Sequence, residues 1–370
     1  MIELDGVIVG GGILGMLIGL EVEMAFPGLD FAILEKERFV GEHSSSRNSG
    51  VLHAGIYYPF HSLKKKFCIE GNRLWYKMGE EIDIDVKKCG KYLIAINEDE
   101  IPFLEKIFNQ AKENNVKNIS WVKKNEIEKL RKIINVKKAF FSKETGVIDL
   151  GQVIKEVEKR VFKKRIPLLK EHEVLDIRRG KNNIIVETKD EVIETKFLIN
   201  ACGLDSVKIR KKIGLDDIEE YFVKGYYLKY SGKIPCPSLI YPIPDKNLKG
   251  LGIHTSFDSD GSIRFGPNSF EVNKIEYEMK DDDITKKMIE TISKIYKHID
   301  EKKLHLDYSG IRSKIKKNGQ YYDDFWIKGP KDLGIPGYFE LCGIESPGFT
   351  ASPAISKFLV RKLMNECLSF

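Results

Sequence analysis

The N-terminal part of the chain alternates between short apolar runs and apolar residues at helical spacing. Residues 7–9 form a continuously apolar run, which predicts a strand that is buried on both faces. Residues 13–24 follow with apolar side chains at helical spacing, and residues 31–34 form a second apolar run. This order of strand, helix and strand predicts a parallel β-α-β unit.

The same pattern returns in two later segments. Residues 197–203 form an apolar run that leads into a glycine, ahead of a predicted helix over 205–213. Residues 338–343 repeat the pattern, and Ser346 and Pro347 are the expected N-cap and first residue of a final helix. Strands rich in tyrosine, isoleucine and leucine are predicted at 91–96, 173–177, 184–188, 192–199, 222–230, 239–243, 248–255 and 262–265. One sheet is therefore expected to be assembled from separated segments of the chain.

The first glycine turn has the spacing of a dinucleotide-binding motif. Gly10 allows a tight turn, Gly12 lets the backbone approach a pyrophosphate, and Gly15 lets the helix pack closely on the strand. Glu35 ends the next strand, where a carboxylate accepts hydrogen bonds from a ribose 2′-hydroxyl. The motif predicts a bound adenine dinucleotide; the alternative is a glycine-rich turn in an ordinary β-α unit.

Composition narrows the class of protein. The 370 residues are 42% hydrophobic and 31% charged, with a formal net charge of +6, and about two domains are expected for this length. The lysines are spread over surface-like helices and form no concentrated basic face with interleaved aromatic residues, so no nucleic-acid partner is expected.

The cysteines and the N-terminus bear on the compartment. Six cysteines lie apart without metal-ligand spacing, so neither a zinc site nor a disulfide framework is expected. Acidic residues at 3 and 5 stand where a signal peptide needs positive charge, and further acids at 21 and 23 interrupt the apolar segment. A cytoplasmic protein without a transmembrane segment is expected.

The C-terminal glycine turn and helix distinguish between dinucleotides. A capped helix after Gly343 directs its positive end at an electron-rich group. A nicotinamide dehydrogenase does not require such an element, whereas it suits the N1/O2 edge of a reduced flavin. FAD is therefore favoured over NAD.

Several motifs together resemble one family of flavoproteins. The chain resembles FAD-dependent oxidoreductases of the D-amino-acid oxidase superfamily, in particular the L-2-hydroxyglutarate dehydrogenase/oxidase-like branch. The motifs that carry the resemblance are GGGILG at 10–15, SSRNSGVLHAGIYY at 45–58, SLK at 62–64, IYPIP at 240–244, LGIHT at 251–255, GPN at 266–268, GIRSK at 310–314, DF at 324–325 and GIESPG at 343–348. The HAGIYY and GIESPG segments are the most specific of these.

The resemblance implies a fold class of α/β plus α+β. A Rossmann-like FAD-binding domain is expected from the discontinuous segments 1–80, 145–215 and 330–370. An interleaved antiparallel-sheet substrate domain is expected from 81–144 and 216–329, covering the face of the flavin.

The resemblance also implies non-covalently held FAD and a set of cofactor contacts. Glu35 is expected at the adenosine ribose, residues 46–49 along the pyrophosphate and flavin, the Val174 backbone at the adenine, and residues 343–350 at the pyrimidine edge. The full expected set is Gly10, Gly12, Ile13, Leu14, Gly15, Glu35, Lys36, Ser45, Ser46, Arg47, Asn48, Ser49, Gly50, Val174, Ala201, Gly203, Arg312, Gly343, Glu345, Ser346, Pro347, Gly348, Phe349 and Thr350.

Oxidation of a 2-hydroxy acid needs a carboxylate clamp and a base beside the flavin. Arg312 is the expected clamp, because a guanidinium binds two carboxylate oxygens at once and superfamily members use such an arginine; the alternative is an arginine paired with a nearby acid. The base is expected to be His53 or His254, since histidine titrates near neutrality. A buried structural histidine is the alternative for His254.

A second substrate carboxylate would need further donors. Candidates are Tyr57, Tyr58, Lys64 and Lys224. For each of them the alternative is ordinary packing or solvation.

The expected function is oxidation of a small L-2-hydroxy acid by hydride transfer from C2 to flavin N5. The alternatives are a glycerol-3-phosphate dehydrogenase or amino-acid oxidase of the same superfamily, and a flavin-binding partner protein without turnover. The electron acceptor, oxygen or a quinone, is left open, and so is peripheral contact with a membrane.

Overall fold

The computed structural model describes residues 1–243, 252–258, 261–280 and 282–367. Its α-helices are α1 (Ile13–Ala25), α2 (Leu63–Glu81), α3 (Ile101–Glu113), α4 (Lys124–Leu130), α5 (Leu150–Lys163), α6 (Ser206–Lys212), α7 (Asp283–Ile295), α8 (Pro330–Leu333) and α9 (Gly348–Glu366). Its strands are β1 (Ile2–Val9), β2 (Phe31–Leu34), β3 (Val51–Leu52), β4 (Val86–Lys87), β5 (Lys91–Ala95), β6 (Ile119–Trp121), β7 (Lys138–Ser142), β8 (Gly146–Ile148), β9 (Leu168–Leu169), β10 (Asp176–Arg179), β11 (Ile184–Glu187), β12 (Val192–Asn200), β13 (Ile218–Tyr230), β14 (Leu239–Pro242), β15 (His254–Phe257), β16 (Ile263–Gly266), β17 (Phe270–Val272), β18 (Leu304–Lys317), β19 (Gln320–Tyr322), β20 (Trp326–Lys328) and β21 (Tyr338–Cys342).

The chain divides into two compact units. Unit 1 comprises Met1–Ser46, Leu150–Phe222 and Arg312–Phe370, and unit 2 comprises Arg47–Asp149 and Val223–Ile311. The long strands β13 and β18 each contribute residues to both units.

Among the described residues, no helix combines the length and the apolar composition that a membrane-spanning segment needs.

Unit 1 is built on a mainly parallel sheet. Strands β9, β2, β1, β12 and β21 lie side by side in that order, with each neighbouring pair parallel. The antiparallel strand β20 extends the sheet beside β21, and the β10–β11 hairpin pairs with the first half of β12. Strand β1 becomes fully buried over its last four residues, as its apolar sequence predicts, and α1 packs against α5 and α9. The fold class expected from the resemblance is confirmed.

Unit 2 contains smaller sheets. Strands β14, β5, β7 and β6 form one sheet, and β3, β8 and β4 form another. Strands β15, β16 and β13 pair antiparallel, as predicted for this part of the chain. The β14–β5 pair is an exception, because these strands run parallel.

The predicted domain boundaries differ from the division of the structure. Residues 47–80 were expected in the FAD-binding domain, but they lie in unit 2. The physical reason is local pairing: β3 pairs with β8, and Asn72 of α2 donates a hydrogen bond to the carbonyl of Glu144.

Some predicted elements are displaced. The final helix begins at Gly348, so Ser346 is not its N-cap and Pro347 is not its first residue, because the Gly348 N–H first closes a turn onto the Glu345 carbonyl. His254 begins β15, whereas it was expected to close a strand. Residues 244–251, which include the first half of the predicted strand 248–255 and Pro244 and Leu251 of the motifs, lie outside the described residues.

Candidate functional site

The first glycine turn of unit 1 leaves no room for side chains at two positions. Gly10 has a φ of +112°, and a Cβ there would lie 2.5 Å from the Ala201 carbonyl oxygen. A Cβ on Gly15 would lie 1.9 Å from the Gly10 carbonyl oxygen. The turn and the first turn of α1 therefore pack directly on each other, as the motif predicts.

The Glu35 carboxylate holds this turn from the end of β2. Its Oε2 accepts a hydrogen bond from the Gly11 N–H at 2.7 Å, and its Oε1 accepts one from the Glu37 N–H at 2.9 Å. Burial raises the pKa of Glu35, and the two backbone hydrogen bonds oppose that rise. Each carboxylate oxygen still has a lone pair that can accept from a ribose hydroxyl.

The start of α1 is partly occupied by a serine. The Ser45 Oγ accepts a hydrogen bond from the Ile13 N–H at 3.0 Å, and a Cβ on Gly12 would lie 3.1 Å from the same oxygen. Gly12 therefore keeps the backbone open beside the helix N-terminus, where the helix dipole favours negative charge.

These elements border a cleft within unit 1, which we call the nucleotide cleft. Its volume is about 1100 Å³, counted with the solvent at its mouth. Predicted cofactor residues that line it are Gly10, Gly12, Ile13, Leu14, Glu35, Lys36, Ser45, Val174, Ala201, Gly203, Gly348 and Phe349. The structure thus brings together residues from separate segments of the chain along one continuous surface.

Other residues line the cleft that sequence reasoning missed. They are Val9, Leu34, Gly41, Glu42, His43, Ser44, His172, Glu173, Cys202, Leu204, Asp205, Lys208, Ile209 and Leu341. Ile344, from the segment 343–350 that was expected at the pyrimidine edge, lines the cleft as well. Two of their contacts join polar groups at the cleft: Lys36 forms an ion pair with Asp205 at 2.9 Å, and His43 contacts Glu37 at 2.9 Å. His43 could have been found from its position eight residues after Glu35, whereas Asp205 lies far from Glu35 in the sequence.

Several predicted cofactor residues, all in the described part of the chain, do not line this cleft. They are Gly15, Ser46, Arg47, Asn48, Ser49, Gly50, Arg312, Gly343, Glu345, Ser346, Pro347 and Thr350. Gly15 lies beneath the turn, and Ser46 donates back to the Glu42 and His43 carbonyls.

Residues 47–50 belong to unit 2 and are held there by unit 2 side chains. The Arg47 guanidinium lies 4.0 Å from the centre of the Tyr277 ring, and the Tyr308 hydroxyl donates to the Asn48 carbonyl at 2.6 Å.

The loop between β21 and α9 is fixed by an ion pair. The Lys314 ammonium lies 2.8 Å from a carboxylate oxygen of Glu345, and both side chains are largely buried. Gly343 adopts a φ of +61°, which favours glycine. Gly348 and Phe349, at the start of α9, reach the nucleotide cleft.

The nucleotide cleft fits an adenine dinucleotide. Gly12 keeps the backbone beside Ser45 free of a side chain, the N-terminus of α1 opens onto the cleft, and the Glu35 carboxylate stands at the end of the second strand. These are the features with which this type of fold binds the adenosine and pyrophosphate of FAD.

In unit 2, the predicted base His53 lies in a tightly held loop after β3. Its carbonyl accepts a hydrogen bond from the Cys68 thiol at 3.4 Å, and the imidazole is buried. Gln110 of α3 donates to the Tyr57 and Tyr58 carbonyls at 2.8 and 3.0 Å, which fixes the rest of the loop. Burial lowers the pKa of His53 well below its usual value, and the positive charges of Lys91 and His254 lower it further.

His254, the second candidate base, lies against an aromatic ring. Its imidazole stacks on Tyr241 with ring centres 3.9 Å apart and an interplanar angle of 12°. The ammonium of Lys91 lies 4.2 Å from the centre of the same Tyr241 ring and 5.0 Å from that of Tyr57. The structure therefore brings His53, His254 and Tyr57 into one buried region of unit 2, together with Lys91 and Tyr241, which sequence reasoning did not select.

The remaining predicted catalytic residues have different surroundings. Arg312 lies on β18, is half-buried, and forms no ion pair within residues 1–243, 252–258, 261–280 and 282–367. Lys64 is buried on α2. Lys224 donates a hydrogen bond to the carbonyl of Glu278, which lies in the same unit.

Comparison with known proteins agrees with this geometry. Residues 5–362 match the model of the family described as FAD-dependent oxidoreductase. The chain belongs to this family. FAD is therefore its cofactor, and the chain is an oxidoreductase.

Two relatives and one solved structure are similar to this chain over most of its length. The chain is 31% identical to the mitochondrial L-2-hydroxyglutarate dehydrogenase of Arabidopsis thaliana, over 98% of this chain and 84% of that protein. It is 30% identical to the protein of the same name from Pongo abelii, over 98% and 88% of the two chains. The solved structure of dithionite-reduced L-α-glycerophosphate oxidase from Mycoplasma pneumoniae, with FAD bound, has the same fold. Its TM-score is 0.88 at 24% identity, with 98% of this chain and 95% of that chain covered.

Proposed function

We propose that this flavoprotein oxidises L-2-hydroxyglutarate, or a closely related L-2-hydroxy acid, to the corresponding 2-oxo acid. The observation that carries the proposal is His53, a buried imidazole in a chain that binds FAD, whose burial lowers its pKa and so favours the neutral form. A neutral imidazole is the group needed to accept the hydroxyl proton of an alcohol. The choice of substrate rests on the relatives named L-2-hydroxyglutarate dehydrogenase.

Each proposed residue has one task. His53 accepts the proton from the C2 hydroxyl, and His254, held in place by stacking on Tyr241, orients the groups around it. Arg312 binds the C1 carboxylate through two parallel hydrogen bonds, for which its guanidinium is available because it forms no ion pair among the described residues. Bound FAD supplies the hydride acceptor at its N5 atom.

The residues of the nucleotide cleft anchor the cofactor. Glu35 accepts from the adenosine ribose, and the start of α1 holds the pyrophosphate through backbone N–H groups left open at Gly12. The Val174 backbone would contact the adenine of bound FAD, which its place in the cleft lining supports.

An anaerobic reduction experiment tests the substrate class. Purified holoenzyme is mixed with L-2-hydroxyglutarate, D-2-hydroxyglutarate, L-lactate, glycerol 3-phosphate or amino acids, and the flavin absorbance is followed. L-2-hydroxyglutarate should bleach the flavin fastest. Bleaching only by glycerol 3-phosphate or an amino acid would replace the proposed substrate, and no bleaching by any of them would refute the proposal.

Arg312→Ala separates an enzyme from a flavin-binding partner protein. An enzyme should retain its yellow colour, because Arg312 lies outside the nucleotide cleft, while its KM for the hydroxy acid rises. Equal reduction kinetics in the variant and the wild type would remove Arg312 from the proposed site.

A further inference from the structure

Lys91 is a buried cation for which the protein supplies no counter-ion. It is 1% exposed, at the start of β5 in unit 2. Its ammonium contacts the rings of Tyr57 and Tyr241, and no carboxylate or other hydrogen-bond acceptor contacts it within the described ranges. Burial of an ammonium without an acceptor is costly.

The hydroxyl groups of the two tyrosines whose rings Lys91 contacts are in the same situation. The Tyr57 and Tyr241 hydroxyls are buried and have no hydrogen-bond partner among the described residues. Lys91, Tyr57 and Tyr241, which we call the lysine–tyrosine cluster, therefore offer three donor groups, an ammonium and two hydroxyls, without an acceptor. Such donors are normally satisfied in folded proteins.

Two other buried cations among the described residues have an acceptor from within the chain. Arg210 of α6 is 1% exposed and pairs with the fully buried Glu340 of β21. Lys224 donates to the Glu278 carbonyl. The lysine–tyrosine cluster differs from these cases because the acceptor is missing, which indicates that a ligand supplies it.

The cluster lies close to the proposed catalytic base. The charge on Lys91 acts on His53, and the Tyr241 ring contacts both Lys91 and His254. A substrate whose hydroxyl reaches His53 would have its distal end within the same buried region of unit 2.

We propose that the lysine–tyrosine cluster binds the distal carboxylate of the substrate and so selects dicarboxylic over monocarboxylic 2-hydroxy acids. The proposal rests on the proposed function and adds residues that determine specificity. The carboxylate accepts from the Lys91 ammonium and from the two tyrosine hydroxyls, which restores the missing acceptor. A methyl group in its place would leave all three donors unsatisfied.

The test compares two substrates that differ only at the distal end. L-2-Hydroxyvalerate carries a methyl group where L-2-hydroxyglutarate carries its second carboxylate. In Lys91→Met, kcat/KM for L-2-hydroxyglutarate should fall by about 10- to 100-fold, the value of a hydrogen bond to a charged group. The rate with L-2-hydroxyvalerate should change only through the pKa of His53, which Lys91 lowers, so at a pH above that pKa it should fall far less than the rate with L-2-hydroxyglutarate.

Other variants serve as control and as independent tests. Lys138→Met is the control, because Lys138 lies on the neighbouring strand β7 and pairs with Glu105 at 2.5 Å. It should leave kcat/KM unchanged for both substrates. Tyr57→Phe and Tyr241→Phe remove one hydroxyl each and should lower only the dicarboxylate rate, which tests the cluster if Lys91→Met does not fold. An equal loss on both substrates, or no loss on either, would overturn the proposal.

A second readout separates this inference from the proposed function. Glutarate, which has no hydroxyl to oxidise, should perturb the flavin spectrum of wild-type holoenzyme and bind far more weakly to Lys91→Met. If L-2-hydroxyglutarate fails to reduce the flavin but glutarate still binds through Lys91, the proposed function fails and the dicarboxylate site stands. Equal binding of glutarate to both proteins, or to neither, would refute the site.

Discussion

Replacing Glu35 with glutamine tests the anchoring of FAD. The carboxylate accepts from the Gly11 N–H at 2.7 Å and from the Glu37 N–H at 2.9 Å. A glutamine has one acceptor oxygen, so one of these N–H groups would face an NH₂ group that cannot accept. A hydrogen bond to a charged group contributes about 1.5–3 kcal/mol.

A loss of about 2 kcal/mol corresponds to a roughly 30-fold rise in the Kd for FAD. Titration of apoprotein with FAD, followed by quenching of flavin fluorescence, measures this Kd. Glu187→Gln is the control, because Glu187 lies on β11, outside the cleft lining, and should leave the Kd unchanged. A Glu35→Gln protein that binds FAD within twofold of the wild type would show that the turn does not depend on this carboxylate.

Three further predictions concern the turn, the base and the buried lysine. Gly15→Ala should abolish the yellow colour of the purified protein, because the added Cβ would lie 1.9 Å from the Gly10 carbonyl oxygen; a yellow variant would contradict the close packing. Since the pKa of His53 is lowered and burial lowers the pKa of Lys91 to about 7, kcat/KM for L-2-hydroxyglutarate should rise with pH as His53 loses its proton and fall above about pH 7 as Lys91 loses its own. Other titratable groups lie around Lys91, namely Cys68, Tyr57, Tyr241 and His254. Lys91→Met therefore identifies the group whose titration lowers kcat/KM above pH 7, because the fall should vanish in this variant. An unchanged fall would assign it to a group other than Lys91. In the unfolded chain Lys91 keeps its proton up to about pH 10.5, whereas in the folded protein it is neutral above about pH 7. The free energy of unfolding of the wild type should therefore rise by up to about 3 kcal/mol between pH 7 and 9, relative to that of Lys91→Met. Urea titrations of the two proteins that show no such difference would refute the lowered pKa of Lys91.

Local patterns were sufficient for the nucleotide-binding half of the fold. The glycine turn, α1 and β2 follow from residues close together in the chain, so their periodicity and steric demands can be read directly. Ser62 likewise caps α2, with its Oγ accepting from the Lys65 N–H at 3.1 Å, because capping depends on neighbours only.

Long-range packing decided what the sequence could not show. Lys91 opens an apolar strand, where a lysine ordinarily marks the solvent-exposed end, and only the approach of Tyr241 from a distant segment reveals that it is buried. Asp205 lines the nucleotide cleft and pairs with Lys36, and this contact also joins two distant segments of the chain. The displaced start of α9 is a local failure, since the turn between Glu345 and Gly348 competed with capping by Ser346.

The proposed oxidation is tested most directly by an anaerobic titration of the holoenzyme with L-2-hydroxyglutarate, with the product measured alongside the flavin spectrum. We expect each flavin bleached to be matched by one molecule of 2-oxoglutarate, and the D-enantiomer to give neither signal. Flavin that stays oxidised in the presence of excess L-2-hydroxyglutarate, or bleaching without a 2-oxo acid, would contradict the proposed oxidation.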